Sequence, residues 1–104
     1  MTHTEFNALL NRRIGLCREV LGSKATEYAS DADRLHNFKE SARLDGCTPE
    51  QALKGMLLKH WTSISDIAAG KVTTREQLDE KIGDAVNYLI LLEAIVTERI
   101  NEYQ

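Results

Sequence analysis

The sequence predicts an all-α protein, a small bundle of about four helices that assembles as a homo-oligomer. Three observations lead there. Apolar residues recur at the three-and-four spacing of a helix face in several separate stretches. Two threonines, Thr48 and Thr74, each stand three residues ahead of a glutamine, a pattern that caps helix starts. No stretch carries a competing strand signal. With 104 residues, 42% hydrophobic and 28% charged, the chain has the composition of one soluble globular domain over 1–104, too short for two independent cores.

The first helix is expected from near Thr4 to about Leu21, with Phe6, Leu9, Leu10, Ile14, Cys17, Val20 and Leu21 as one buried stripe. Gly22 ends or bends it. The following S-K-A-T-E-Y-A-S-D-A-D has no clean apolar period and reads as a loop that presents side chains. A shorter second helix is expected from about Asp33 to Asp45, burying Leu35, Phe38 and Ala42 and stopping at Gly46. Thr48, Pro49, Glu50 and Gln51 form the clearest start: a threonine cap, a proline where its missing N–H is harmless, and a glutamine that completes a capping box. The third helix then buries Ala52, Leu53, Met56, Leu57, His60, Ile64, Ile67 and Ala68, and Gly70 closes it. Thr74 with Gln77 opens a fourth helix, expected to continue through Tyr103. The third and fourth helices are expected to be the core pair. Ile90, Leu91, Leu92, Ala94, Ile95 and Val96 make the last helix apolar almost all round. Four short elements of one chain cannot cover that much, hence the oligomer.

Composition removes several function classes. Thirteen basic against sixteen acidic residues leave a charge of -3, which provides no field for duplex nucleic acid. A few aimed donors can still hold one nucleotide's phosphates. The longest apolar run, Leu89 to Leu92, is far short of the roughly 20 residues of a membrane span, so no membrane partner is expected. The start, M-T-H-T-E-F-N, lacks a basic region ahead of a hydrophobic segment and does not read as a secretory signal, so the expected location is cytoplasmic. Cys17 and Cys47 read as reduced packing residues.

On the fourth helix, Glu80, Asp84, Asn87 and Leu91 fall close to one line, opposite Leu78, Ile82, Ala85, Leu89, Leu92 and Val96. A solvated face explains the first half of that line, but its second half runs into the apolar zone. Two carboxylates at i and i+4 can lean toward one Mg²⁺, which favours few carboxylates plus water and substrate phosphate. Asn87 adds an amide that both donates and accepts. In D-R-L-H-N-F, residues 33–38, Leu35 and Phe38 would bury the helix, leaving Arg34 and Asn37 pointing together at i and i+3. Arg34 offers a donor fork suited to phosphate, although Asp33 as a simple cap and Arg34 as a solvated cation remain open. His36 lies between them. His60, central in an apolar stripe, reads either as a core histidine satisfied by a neighbouring acid or amide, or as a ligand contact. Lys24 and Lys59 could reach phosphate or stay solvated. Tyr28 and Trp61 could stack a base or simply pack.

Together, K-A-T-E-Y (24–28), D-R-L-H-N-F (33–38), A-L-K-G-M-L-L-K-H (52–60) and D-E-K-I-G-D-A-V-N-Y-L (79–89) resemble the nucleotide modification associated domain 1 family of small phage and prophage proteins. The resemblance covers about residues 15–97 and is most specific in the second motif and in K-I-G-D-A-V-N-Y-L. That family is distantly similar to the all-α nucleoside triphosphate pyrophosphohydrolases, the MazG-like and dimeric dUTPase-like enzymes, which hold Mg²⁺ with acidic pairs on two helices. The resemblance implies a phage-infected or prophage-bearing bacterial host. It sets Glu80 and Asp84 near the family's second acidic pair, with Asn87 and Tyr88 at the positions that follow. The enzymes' first pair, E-x-x-E, does not occur in the first helix here; Glu27 with Asp31, or with Asp33, could substitute. Without four converging acids, two-metal activation of water loses its basis, whereas nucleotide binding does not.

Three functional expectations follow. The first is a nucleotide-binding protein that recognises a phosphate-bearing, signalling or cyclic nucleotide and sequesters it against host defence. The alternatives are a Mg²⁺-dependent pyrophosphohydrolase acting on the nucleotide pool, and a helical interaction module without a small ligand. The site is expected where Arg34, His36 and Asn37 approach Glu80, Asp84 and Asn87, near a subunit boundary, with Lys24, Tyr28, Lys59, His60 and Tyr88 as further ligand contacts.

Overall fold

In a computed structural model, residues 1–23 and 33–102 are described. They form an all-α bundle, 85% helical, with four α-helices and no strand among the described residues. Helix α1 is His3–Arg18, α2 is His36–Asp45, α3 is Pro49–Ala68 and α4 is Arg75–Glu102. One π-helical turn, Glu19–Ser23, follows α1 directly. The segment expected as a presenting loop lies outside the described residues from position 24 to 32, and with it Lys24, Glu27, Tyr28 and Asp31; so does Tyr103. No helix among the described residues is long and apolar enough to cross a membrane.

Side-chain caps set most helix starts. Thr2, not the neighbourhood of Thr4, opens α1: its hydroxyl accepts from the Glu5 N–H at 3.1 Å while the Glu5 carboxylate accepts from the Thr2 N–H at 2.8 Å. Of Thr2 and Thr4, Thr2 has an acid three residues on and closes that pair, whereas Thr4 has Asn7 there. Helix α2 begins three residues later than expected. The Asp33 carboxylate accepts from the Leu35 N–H at 2.9 Å, holding Asp33 in a turn ahead of the helix. Thr48 and Gln51 form the reciprocal box at α3. At α4 the Thr74 hydroxyl accepts from the Gln77 N–H, while the Gln77 amide oxygen accepts from Thr73 instead. Gly46 and Gly70, at φ 67° and 77°, supply the left-handed residues beyond α2 and α3.

The core gathers Leu35 just ahead of α2, Phe38 of α2, the fully buried Leu53 of α3 and Ile95 of α4, with Met56, Tyr88, Leu91 and Leu92 packed against them. As expected, α3 and α4 make the most extensive helix pair, and α2 packs on α3. Charge pairs fasten the outer elements. Lys39 donates to Asp33 and to Glu98, tying α2 to the end of α4, and its ammonium is held above its ordinary range by those two carboxylates, Asp33 first. Arg12, Arg13 and Arg75 converge on Asp79, tying α1 to α4.

The expected buried stripe of α1 is a correction. Phe6, Leu9, Leu10, Ile14 and Val20 are exposed, and only Cys17 is buried. Helix α1 meets α4 along one line, and no described element covers its remaining apolar flanks.

Candidate functional site

The polar line on α4 runs from solvent into the protein, as its sequence suggests. Glu80 is exposed, the Asp84 side chain is 47% exposed, and Asn87, one turn on, is only 8% exposed. Two adjoining cavities meet at Asp84 and Asn87. The smaller, about 230 Å³, lies between α1 and α4 and is lined by Arg13, Cys17, Asp79, Glu80, Asp84 and Asn87 among others. The larger, about 350 Å³, lies between the π-helical turn, α2, α3 and α4, where Arg34, Asn37, Phe38 and Met56 face Asp84, Asn87, Tyr88 and Leu91. Val20 of the π-helical turn borders both. A π turn widens the backbone locally and often marks such sites.

Arg34, in the turn ahead of α2, and Asn37, in its first turn, both line the larger cavity, and Leu35 and Phe38 beside them are buried. Their cavity partners are Asp84, Asn87 and Tyr88; Glu80 lines only the smaller cavity. His36 is exposed at the start of α2 and lines neither cavity. Lys59 is exposed on α3 and lines neither cavity, with its carbonyl accepting from the Ser63 hydroxyl at 3.5 Å. One residue along a helix is a rotation of about 100°, which carries each off the face its neighbour presents. Trp61 is 50% exposed and also lines neither.

His60 is buried, with its ring 4.9 Å from that of Tyr88. The expected acidic neighbour is Asp84, 4.0 Å from Nδ1, an ion pair only when the imidazole is protonated. That distance is too long for a hydrogen bond, and Nε2 has no hydrogen-bond partner among the described residues. The Asn87 carbonyl oxygen is likewise buried and unpartnered. Buried polar atoms without partners are uncommon, and Asn87 and His60 each carry one among the described residues; His60 lines neither cavity.

Arg13, Cys17 and Asp79 also line the site, and sequence reading had no role for Arg13 and Asp79. Arg13 donates to the Asp79 carboxylate at 3.1 Å and to its carbonyl at 3.3 Å. Gly83 permits this approach, since a Cβ there would stand 3.0 Å from the Arg13 guanidinium. The signal was a charge at three-and-four spacing within an apolar stripe, between Leu9, Leu10 and Cys17, where an arginine needs an acid opposite. A broader depression, about 840 Å³, follows the C-terminal half of α4; Asp33, Glu93, Glu98 and Glu102 make it acidic, and Arg34 stands at its edge. Among the described residues, no group of three or more His, Cys, Asp and Glu side chains is placed to hold a metal ion. No family model, curated protein or solved structure matches this chain.

Proposed function

We propose that the chain binds a phosphate-bearing nucleotide in the trough formed by the two cavities, with Arg34 on a phosphate and Asn37 and Asn87 on base or ribose. The observation that carries this reading is Asn87, whose buried carbonyl oxygen has no donor among the described residues and which lines both cavities. Leaving such a group unpaired costs about 1–3 kcal/mol. A ribose hydroxyl or a base amino group supplies the missing donor. Arg34 has the complementary need: its guanidinium lines the cavity, is exposed, and forms no ion pair among the described residues. A planar fork of donors there suits phosphate. Holding the nucleotide without cleaving it fits the resemblance to phage proteins, with sequestration of a host signalling or cyclic nucleotide as the role.

Glu80 and Asp84 favour a second reading, Mg²⁺-dependent pyrophosphohydrolysis. Both line the smaller cavity, and two carboxylates plus a substrate phosphate suit Mg²⁺. The ion would supply charge neutralisation for the phosphates, and the two acids would hold it.

Incubation with nucleoside mono-, di- and triphosphates and cyclic dinucleotides, with and without Mg²⁺, followed by denaturation and recovery of the ligand, separates the readings. Intact release supports sequestration and a cleaved product supports hydrolysis. No uptake of any of them refutes both and leaves the helical interaction module. Arg34→Ala is expected to weaken binding roughly ten- to hundredfold, as a hydrogen bond to a charged group contributes about 1.5–3 kcal/mol. Unchanged affinity by calorimetry in folded Arg34→Ala and Asp84→Asn would remove the site.

A further inference from the structure

The two cavities that meet at Asp84 and Asn87 offer a ligand different chemistry. Arg34 lines only the larger one. The smaller one, about 230 Å³, has a wall of acceptors along α4, made by Glu80, Asp84 and Asn87. A further acid there, Asp79, is already held by Arg12, Arg13 and Arg75. Asp84 has no such partner: the His60 Nδ1, at 4.0 Å, is beyond hydrogen-bond reach. Asn87 is nine-tenths buried, and its carbonyl oxygen has no donor among the described residues. A volume of about 230 Å³ lies below the roughly 300 Å³ at which sites for whole small molecules begin, so this cavity takes one ring system and not an entire nucleotide. Leu16 of α1, Val20 of the π-helical turn and Gly83 of α4 give it apolar surface for the faces of a ring.

We propose that the smaller cavity selects guanine as the base of the bound nucleotide, an inference that rests on the nucleotide reading above and deepens it. An ionised carboxylate accepts through two oxygens and has nothing to donate. Guanine is the common base whose Watson–Crick edge sets two donors side by side, N1–H and the 2-amino group. Adenine and cytosine set an amino group beside a ring acceptor, and uracil and thymine hold one N–H between two carbonyls. Asp84 accepts from N1–H and from the 2-amino group, and the Asn87 carbonyl accepts the second amino hydrogen. Each orphaned acceptor thereby gains a donor. Adenine would turn a ring lone pair toward the same carboxylate, acceptor against acceptor, which is how a site rejects a wrong partner.

Arg13 supplies the opposite edge. It lines the same cavity and donates to the Asp79 carbonyl at 3.3 Å and to the carboxylate at 3.1 Å, which leaves donors over from the five of a guanidinium. Arginine is the usual partner of guanine O6 and N7. With the base between α1 and α4, the phosphate falls toward Arg34 in the larger cavity.

Calorimetry of the full chain in EDTA, with guanosine and inosine 5′-monophosphates, 5′-triphosphates and cyclic dinucleotides and with their adenosine counterparts, tests this. Inosine differs from guanosine only in lacking the 2-amino group. Its nucleotides are expected to bind roughly ten- to a hundredfold more weakly, the discrimination of a lost bidentate base contact, and those of adenosine more weakly still. Asp84→Asn sets an amide N–H against the base and is expected to reverse the preference from guanosine 5′-monophosphate to xanthosine 5′-monophosphate, whose C2 carbonyl accepts that hydrogen. A misfolded variant could not show such a gain. Equal affinity for guanosine and inosine nucleotides, or a guanosine preference that survives Asp84→Asn, overturns the base assignment and leaves the nucleotide reading standing. Selectivity that appears only when Mg²⁺ is added overturns it as well, because the carboxylates then hold the ion. If none of these nucleotides binds, the nucleotide reading fails and this inference fails with it.

Discussion

Replacing Asn87 with leucine is expected to stabilise the protein and abolish its nucleotide binding together. Asn87 is 8% exposed with an unpartnered carbonyl oxygen, a desolvation penalty of about 1–3 kcal/mol that an apolar side chain does not incur. Leucine is bulkier, and overfilling a packed core costs about 1–3 kcal/mol. Here the added volume has room, because cavities of about 230 and 350 Å³ adjoin the residue. Position 87 is also interior to a 28-residue helix, where leucine is preferred over asparagine by about half a kcal/mol. The relief of the buried carbonyl therefore dominates, and the net gain is about 1–3 kcal/mol. In a domain of this size each kcal/mol moves Tm by about 4–8 °C. Thermal unfolding followed by far-ultraviolet circular dichroism reads the gain, and calorimetry with the nucleotide recovered from the uptake experiment reads the loss of binding. A fall in Tm would refute the reasoning, because it would mean that the Asn87 carbonyl is bonded in the native protein, through a held water, and serves the fold. A higher Tm with undiminished affinity would refute it as well, since the orphaned carbonyl would then have no part in recognition.

Two further outcomes concern the scaffold. Leu53 is fully buried among Leu35, Phe38 and Ile95, so Leu53→Ala is expected to cost about 2–5 kcal/mol, read from urea unfolding; a loss below 1 kcal/mol would show that this cluster is not the core. The Arg12 guanidinium, donating to both Asp79 carboxylate oxygens at 2.8 and 2.6 Å, holds Asp79 down to about 2 from 3.8. A carboxylate depressed in the folded state contributes stability that is complete above the unfolded value and is lost as pH falls through the folded one. Melting temperatures of wild type and Asp79→Asn should therefore differ above pH 3.8 and converge toward pH 2, and an unchanged gap at the acid end would refute the linkage.

How far the fold is legible in the sequence depends on whether an element's determinants are local. Helices α3 and α4 were readable because their caps and apolar stripes lie within their own residues, and Thr48 with Gln51 behaves as its spacing implies. The start of α2 was misplaced because Asp33, a good cap by type, bonds the Leu35 N–H and belongs to the turn. The candidate site divides in the same way. Asp84 with Asn87 follows from rotation along one helix, whereas Arg34 stands in the turn ahead of α2 and Asn37 inside it. That the two pairs share a cavity depends on how α2 and α4 pack through Phe38, Met56 and Leu91, which no local rule contains.

Helix α1 shows the step that periodicity leaves out. Its stripe has the same spacing as that of α3, yet it is mostly exposed. Periodicity establishes that a face is apolar; the rotational setting of the helix decides which part of that face is covered. Here the setting is made by charge. The bond from Arg13 to Asp79, passing over Gly83, turns Arg13 and Cys17 toward α4. At about 100° per residue, Leu10 lies about 60° and Ile14 about 100° further round from Arg13. An ion pair that fastens α1 to α4 thereby holds two of its largest apolar side chains on the exposed flank of α1.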